Sequence, residues 1–593
     1  MKKMRNILRN TAKIIKLQYT VNKAALFHEL LSTVAGKAYS ILTIVLPAIV
    51  IDLVLKDANK ILCGAVIAVM TFMIVLFDFV NRKSRDMLSA HSSKTDNLVS
   101  MKVSRKAMSL DYKDLMDSSV LDLEAKGERA IYEFLEIDYV VLCDIGGAVI
   151  ALLGLGYVIA AINIFSLLVV FAAACVRAVI SKKIAKVDHK YTGLISEYTR
   201  TEEYFKEIIF DTRFAKEIQI YDYSENLTEK YREVSQKVIS LEDEKARKIN
   251  MWQSIDQVVN LLNLVLVFLL AIRSFYLGAI SISAFMLCIT GSREITDSVK
   301  ELFDGFVKVA RINDYFADYE AFMNLPETIY KDVETNPEAK SCIGDEFTFE
   351  FQNVSFMYPG SDTYALKDVS VTLDSKSIIS VVGENGAGKT TFVYLLMRMF
   401  DVTEGRILLN GTDIREYPFS EYQRLVSPVF QDYEVLAYSI RENVAFDKNI
   451  SRDFLDRCYA AADLDGLISG LPDKDETLLT KDLYDDGVVL SGGEKQKLAI
   501  ARAYCHDGRV IILDEPTAAI DPLSEYRIFK NISTQSRQKL TVFVSHRLTS
   551  TFFSDKILVF DGGRLIQQGN HKELLAQPGI YAEMFSKQAV YYK

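Results

Sequence analysis

Five runs of mostly apolar residues, at 36–55, 61–81, 139–161, 163–184 and 256–277, constrain this chain more than any other feature. Each has the length, about 20 residues, that a helix needs to cross hydrocarbon. Only a helix or a closed barrel satisfies its own backbone hydrogen bonds there. The alternative of a large soluble core fits poorly with a 593-residue chain that is 50% hydrophobic and only 25% charged. A sixth run, "AISISAFMLCIT" at 279–290, is short and is followed by Arg293 and Glu294. A sixth crossing over 279–299 is still expected. An even count returns the chain to its starting side, and a helix lining a watery path need not be apolar all round.

The segments between the runs alternate in length. Runs one and two, three and four, and five and six are joined by a few residues; the other two connections are long and rich in Lys and Arg. Positive residues favour the cytoplasmic side. The N-terminus, both long connections and the C-terminal part are therefore expected in the cytoplasm of a multi-pass protein of the cell membrane. "SKKIAKVDHKYTGLISEYTRTEEYFKEI" is polar but helix-periodic, which predicts membrane helices that continue far into the cytoplasm. The basic start "MKKMRNILRNTAKIIK" lacks a short apolar stretch with a cleavage site and reads as a retained segment, an amphipathic helix along the membrane surface. Within the runs, Asp78, Asp144, Arg177, Asp256 and Arg273 are candidates for a substrate path. Most lie toward the end of a run, where a charged head reaching for the headgroups is the ordinary explanation.

"PETIYKDVETNPEAKSCIGDE" is polar with two prolines, and a linker is expected over 326–345. Beyond it, short β-branched strands alternate with helices, the pattern of a mostly parallel α/β sheet. The formal charge of −9 belongs to this part and argues against a nucleic-acid partner. The seven cysteines lack CxxC spacing; Cys63, Cys175 and Cys288 sit in apolar runs and read as reduced and structural, and the six histidines suggest no metal cluster.

In that domain, "GENGAGKTT" at 383–391 stands between the apolar strand "SIISVV" and the helix-like "FVYLLMRMF". Gly383, Glu384, Asn385, Gly386, Ala387, Gly388, Lys389 and Thr390 fit G-x-x-x-x-G-K-[ST], and Thr391 follows. Glycines let backbone N–H groups wrap phosphate oxygens at a helix N-terminus. Lys389 would reach the β- and γ-phosphates of ATP, and Thr390 would hold Mg²⁺. "RVIILDEP" at 509–516 is an apolar strand ending in two acids. Asp514 suits the Mg²⁺ shell and Glu515 suits the base that handles the attacking water.

With "LSGGEKQKLAIARA" at 490–503 the chain resembles an ABC transporter, "LSGGE" being the family's signature loop. The resemblance implies roles for further residues: Tyr358 stacks on adenine, Gln431 is the Q-loop glutamine that also sees Mg²⁺, Asp521 is the D-loop aspartate, and His546 is the switch histidine at the γ-phosphate. Six spans before one nucleotide-binding domain resemble a half-transporter of the exporter fold. The local style of "LSGGEKQKLAIARA" and "DYKDLMDSSV" is similar to peptide or bacteriocin-type exporters. Residues 109–126 and 213–227 resemble the two coupling segments of that fold.

Departures are Glu494 for the usual glutamine, Lys497 for arginine, Ala-Ala-Ile-Asp before Pro522, and Asp485 for a usual glutamate. The resemblance further implies that Ser491, Gly492, Gly493 and Glu494 act on ATP held by a second subunit, either a copy of this chain or a paralogue. The expectation is an all-α six-helix transmembrane domain at 1–325 and an α/β P-loop ATPase domain at 346–593. Such a protein would use ATP to export a hydrophobic or amphipathic peptide, lipid or small molecule, with import or a membrane-tethered regulatory ATPase as alternatives.

Overall fold

The structure is a computed structural model that describes the chain apart from residues 1, 57–58, 163, 328, 330–343, 345, 447–449, 482, 517–519, 536–538, 546–547 and 590–593. It divides into two units. The first holds residues 1–107 and 122–324; the second holds residues 325–593 together with residues 108–121. A short segment encoded between two long helices thus belongs to the C-terminal unit.

The first unit is helical: α1 (Lys2–Val21), α2 (Lys23–Leu55), α3 (Lys60–Met108), then, beyond the 108–121 segment with its one-turn α4 (Tyr112–Leu115), α5 (Ser118–Phe134), α6 (Gly147–Ile162), α7 (Ile164–Phe210), α8 (Ser224–Tyr276) and α9 (Ile282–Met323). Five helical stretches are long and apolar enough to cross a membrane: 23–55, 60–108, 118–160, 164–210 and 224–276. α3, α7 and α8 run on well past their apolar parts, to 49, 47 and 53 residues.

The expected sixth crossing is a helix, α9, but is not among the five. Its residues explain why. It buries Ser292, Thr296, Ser298, Gly291 and Gly305 against its neighbours, and small or hydroxyl-bearing side chains suit close helix contacts rather than contact with lipid.

The third apolar run departs from a plain helix. Val140–Gly146 is π-helical, a local widening common where side chains must be re-aimed. There Cys143 Sγ lies 2.8 Å from Glu29 Oε1 and 2.8 Å from Thr33 Oγ1, and Lys308 Nζ lies 2.8 Å from Asp144 Oδ2.

The candidate path residues mostly find partners within this unit. Asp78 pairs with Arg82 one turn on, Asp144 with Lys308, and Arg273 is exposed near the end of α8. Arg177 does not reach for solvent. Its Nε and Nη2 donate to the two carboxylate oxygens of Asp256 at 2.9 and 3.1 Å, with both side chains buried. Asp297 and Lys300 of α9 flank the pair at 3.4 Å each. Snorkelling is thus replaced here by neutralisation between α7, α8 and α9.

The second unit is α/β. β1 (Thr348–Phe356), β2 (Leu366–Asp374), β4 (Glu404–Leu409) and β5 (Thr412–Asp413) form an antiparallel sheet in the order β2-β1-β4-β5. A six-stranded sheet runs β10-β9-β3-β8-β7-β6, from β3 (Ile378–Gly383), β6 (Val426–Val429), β7 (Val510–Asp514), β8 (Leu540–Val544), β9 (Lys556–Asp561) and β10 (Arg564–Gly569). All its pairings are parallel except β10 with β9. β3, β7 and β8 are buried throughout, which is why they read as continuous apolar runs. Helices α10 (Lys389–Leu396), α11 (Arg452–Ala461), α12 (Gly492–His506) and α13 (Pro522–Gln535) complete the elements that place the site. Nearly all of the expected linker lies outside the described residues.

Candidate functional site

Parallel strands deliver their C-terminal ends to one edge of the sheet, and ligands of such sheets bind there. β3 ends at Gly383 and feeds the glycine loop; β7 ends at Asp514, with only β8 between them. The loop's geometry requires glycine at two points. A Cβ on Gly383 would lie 2.3 Å from the Phe560 carbonyl oxygen. Gly388, at φ +99°, would bring one within 2.8 Å of the Ala365 carbonyl oxygen and 2.7 Å of Leu366.

α10 begins at Lys389, directly after that turn. The Lys389 side chain is buried, and its Nζ donates to the carbonyls of Gly383 at 3.0 Å and Glu384 at 2.8 Å. Burial pushes its ammonium pKa down, against the pull of Glu515 and Asp514. The cation therefore sits inside the curl of the loop, where phosphate oxygens would compete for it.

A cavity of about 810 Å³ opens here, lined by Tyr358, Ala365, Asn385, Gly386, Gly388, Lys389, Thr390, Thr391, Gln431 and Glu515. Of the residues expected at an ATP site, Gly383, Glu384 and Ala387 shape the loop without lining the cavity. Ala365 lines it and was not anticipated. It carries no chemistry-bearing group; its place comes from its main chain, whose N–H donates to Phe356 O at 2.8 Å. Tyr358 is half-buried and its hydroxyl lies 2.9 Å from Thr391 Oγ1.

Asp514 is 2% exposed, and neither carboxylate oxygen has a well-formed hydrogen bond. Burial pushes its pKa up to about 6, with Glu515 adding to the rise and Thr390 and Lys389 opposing it. A buried acid with no well-formed hydrogen bond, beside a threonine hydroxyl, fits a hard divalent cation with oxygen ligands, as Mg²⁺ requires. Thr390 and Asp514 would hold it. Gln431 lies on the other side of Glu515, its Nε2 at 3.4 Å from Oε2.

Glu515 has φ +50°, a left-handed backbone rare outside glycine and strained just before Pro516. Its N–H donates to Val544 O at 3.0 Å, and its carbonyl accepts from Gln496 Nε2 at 3.0 Å. The surrounding sheet and α12 therefore hold the acid in a conformation it would not choose, the kind of strain that clusters at reacting sites. His546 lies outside the described residues.

Ser491 caps α12. Its Oγ accepts from Glu494 N–H at 3.4 Å, while the Glu494 carboxylate accepts from Ser491 N–H and Oγ at 2.7 Å each. Glu494, a departure from the usual signature, thus completes a reciprocal cap, and the S-x-x-E spacing carried that signal. Lys497 reaches Asp463 at 2.6 Å and Ser524 at 3.2 Å, tying α12 to the start of α13. Asp521 caps α13 through the N–H groups of Leu523 and Ser524, bonds that hold its pKa down. Ser491 to Glu494 do not line the cavity.

Of the expected coupling segment at 109–126, residues up to 121 belong to the C-terminal unit and those from 122 onward to the helical unit. In the C-terminal unit, Asp111 is fully buried and accepts from Ile329 N–H at 2.9 Å. Tyr112 packs on Tyr394 and Phe400. The segment at 213–227 belongs to the helical unit and exposes Phe214, Ile220, Tyr221 and Tyr223 around a short helix, Ala215–Ile220.

Residues 366–518 match the ABC transporter family. The subtilin transport ATP-binding protein SpaT of Bacillus subtilis is 30% identical over 62% of this chain and 60% of its own length. An ATP-dependent lipid A-core flippase of Paraburkholderia xenovorans is 37% identical over 40% of this chain and 39% of its own. The chain thus spans less than two thirds of these relatives. A bacterial Atm1-family ABC exporter solved with ATP bound superposes with a TM-score of 0.82 at 20% identity, covering 96% of this chain and 99% of that one.

Proposed function

We propose that this chain, which has the ABC exporter fold with a helical unit and an ABC ATP-binding domain in one polypeptide, works as one half of an ATP-driven exporter in the cell membrane. The observation that carries the reading is the split site. The cavity gathers the phosphate loop, Lys389, Thr390 and Glu515, yet leaves out the capped serine loop at Ser491 to Glu494. A triphosphate in the cavity needs a second wall, and a second subunit presenting its own Ser491 to Glu494 supplies one.

In this reading Tyr358 faces the adenine, and Lys389 with the N–H groups of the loop holds the phosphates. Thr390 and Asp514 would hold Mg²⁺, which would supply neutralisation of the triphosphate charge. Glu515 accepts a proton from the attacking water, Gln431 fixes that carboxylate, and His546 faces the γ-phosphate. Asp521 contributes from the edge of α13. Closure of two such units around ATP, and their release after hydrolysis, would alternate access between the two sides of the membrane. The exposed Phe214, Ile220, Tyr221 and Tyr223 suit docking against the second subunit. Both ends of the chain face the cytoplasm in this arrangement.

The substrate in this reading is a hydrophobic or amphipathic peptide, lipid or small molecule. Relatives named for subtilin transport and for lipid A-core flipping both support such cargo. The test is ATP-dependent accumulation of labelled amphipathic peptides and lipids in inside-out vesicles. Uptake that needs ATP supports export. ATPase activity that no peptide, lipid or drug stimulates, with no accumulation, favours a regulatory ATPase instead.

The Glu494 cap gives a second expected result. Its carboxylate holds the Ser491 hydroxyl that would otherwise donate to phosphate, and its charge repels that phosphate. Glu494→Gln keeps the shape of the cap and removes the charge. The KM for ATP is expected to fall about two- to fivefold, as a charge-assisted bond gives way to a neutral one. Steady-state ATPase titrations check it; a KM that rises would count against the role in trans.

A further inference from the structure

We propose that Phe400 is a positioning residue that links recognition of the nucleotide base to the seating of the 108–121 segment, through Tyr358 on one side and Tyr112 on the other. The proposal rests on the reading of Tyr358 as the base-facing side chain.

Phe400 is 2% exposed and sits at the junction of two aromatic contacts. The Tyr358 ring meets it edge-on, with centroids 5.5 Å apart and planes at 87°. The Tyr112 ring meets it at 5.5 Å and 69°. Phe356, at 5.3 Å, packs on the same ring. Tyr112 also touches Tyr394 at 6.3 Å and 82°. Edge-to-face pairs have a preferred geometry, and each is worth about two- to tenfold in an equilibrium. Rotation or displacement of the Phe400 ring therefore changes both contacts together.

The two ends of this chain of rings are fixed by polar bonds. Tyr358 is held by its hydroxyl at Thr391, the residue after the phosphate loop. Tyr112 follows Asp111, whose buried carboxylate accepts the Ile329 N–H and lies 3.5 Å from Lys113 Nζ. The segment's backbone is thereby located, and the Tyr112 ring is aimed at Phe400. Tyr112 lines no part of the cavity. The Phe400 and Tyr394 rings stand next to Tyr112 on the way to the site. By linkage, a base that orders Tyr358 tightens the seat of Tyr112, and a seated Tyr112 orders Tyr358 to the same factor.

The experiment uses the full-length protein in lipid nanodiscs and compares ATP with GTP in steady-state hydrolysis. Tyr112→Ala is expected to raise the KM for ATP about three- to tenfold, to keep kcat within about twofold, and to narrow the preference for ATP over GTP. Tyr112→Phe, which keeps the ring, is expected to restore both. Phe400→Leu, which keeps the core filled, is expected to shift KM and base preference in the same direction. A segment that only transmits force would lower kcat with KM and base preference unmoved. That result for Tyr112→Ala, alongside a Tyr358→Ala variant that does lose affinity and base preference, overturns the proposal. A Tyr358→Ala variant with ordinary KM and base preference removes the base-facing reading and the proposal with it.

Discussion

Glu515→Gln is expected to lower the kcat for ATP hydrolysis by about 10²–10⁴-fold, the range for loss of a positioned general base, while ATP stays bound. The substitution is nearly isosteric. The strained φ of +50° is imposed by the Val544 and Gln496 bonds to the main chain of residue 515, and those bonds do not depend on the side chain. Gln431 keeps a partner, since an amide oxygen can accept where the carboxylate did. Binding and catalysis should therefore separate. Filter retention of labelled ATP would remain at the level of the unmodified protein, and phosphate release in a single turnover would nearly stop. Undiminished release would remove Glu515 from the role of base.

The second large effect lies in the helical unit. Asp256→Ala would leave the Arg177 guanidinium buried with its bidentate partner gone, and Lys300 without its 3.4 Å neighbour. Breaking one side of a buried pair costs about 3–5 kcal/mol, so the thermal midpoint in detergent should fall sharply. Replacing both members by apolar residues of similar volume, Arg177→Met with Asp256→Leu, should bring stability back close to that of the original, because such pairs rarely stabilise more than good packing does. The double variant then separates two roles. If transport returns with stability, the pair serves to hold α7, α8 and α9 together. If the protein is stable but no longer transports, the pair belongs to the path.

The ATP site was legible because its chemistry is written locally. Gly383 to Thr391 run from the end of β3 through a loop into α10, and Asp514 and Glu515 stand at and just past the end of β7, so a single stretch of sequence states both residue type and geometry. What escaped was tertiary. Ala365 lines the cavity only because β1 and the turn before β2 bring its main chain beside Gly388. Arg177 and Asp256 are 79 residues apart, and nothing at either position announces the other, so the end-of-run explanation looked sufficient. Glu494 was read only as a departure from the usual signature, when its S-x-x-E spacing also describes a helix cap. The division of residues 109–126 between the two units was hidden for another reason. Residues 109–126 mix polar and apolar side chains throughout, and the division after 121 goes with Asp111 and Tyr112 having partners more than 200 positions away. The apolar runs gave five crossing-length helices. The sixth was faint because α9 turns small and hydroxyl side chains toward other helices.

The membership of residues 108–121 in the C-terminal unit also bears on how the protein is made. These residues leave the ribosome long before β9, the last strand of the parallel array, which ends at Asp561. At ordinary translation speeds that delay is about 20–90 s. Until Ile329, Tyr394 and Phe400 have followed, Asp111 and Tyr112 lack the partners that seat them. The C-terminal unit is therefore completed from two pieces of chain separated by most of the helical unit. Expression of residues 326–593 alone would leave Phe400 and Tyr394 without the Tyr112 ring, and grafting that piece onto a different helical unit would keep those contacts only if the 108–121 segment went with it.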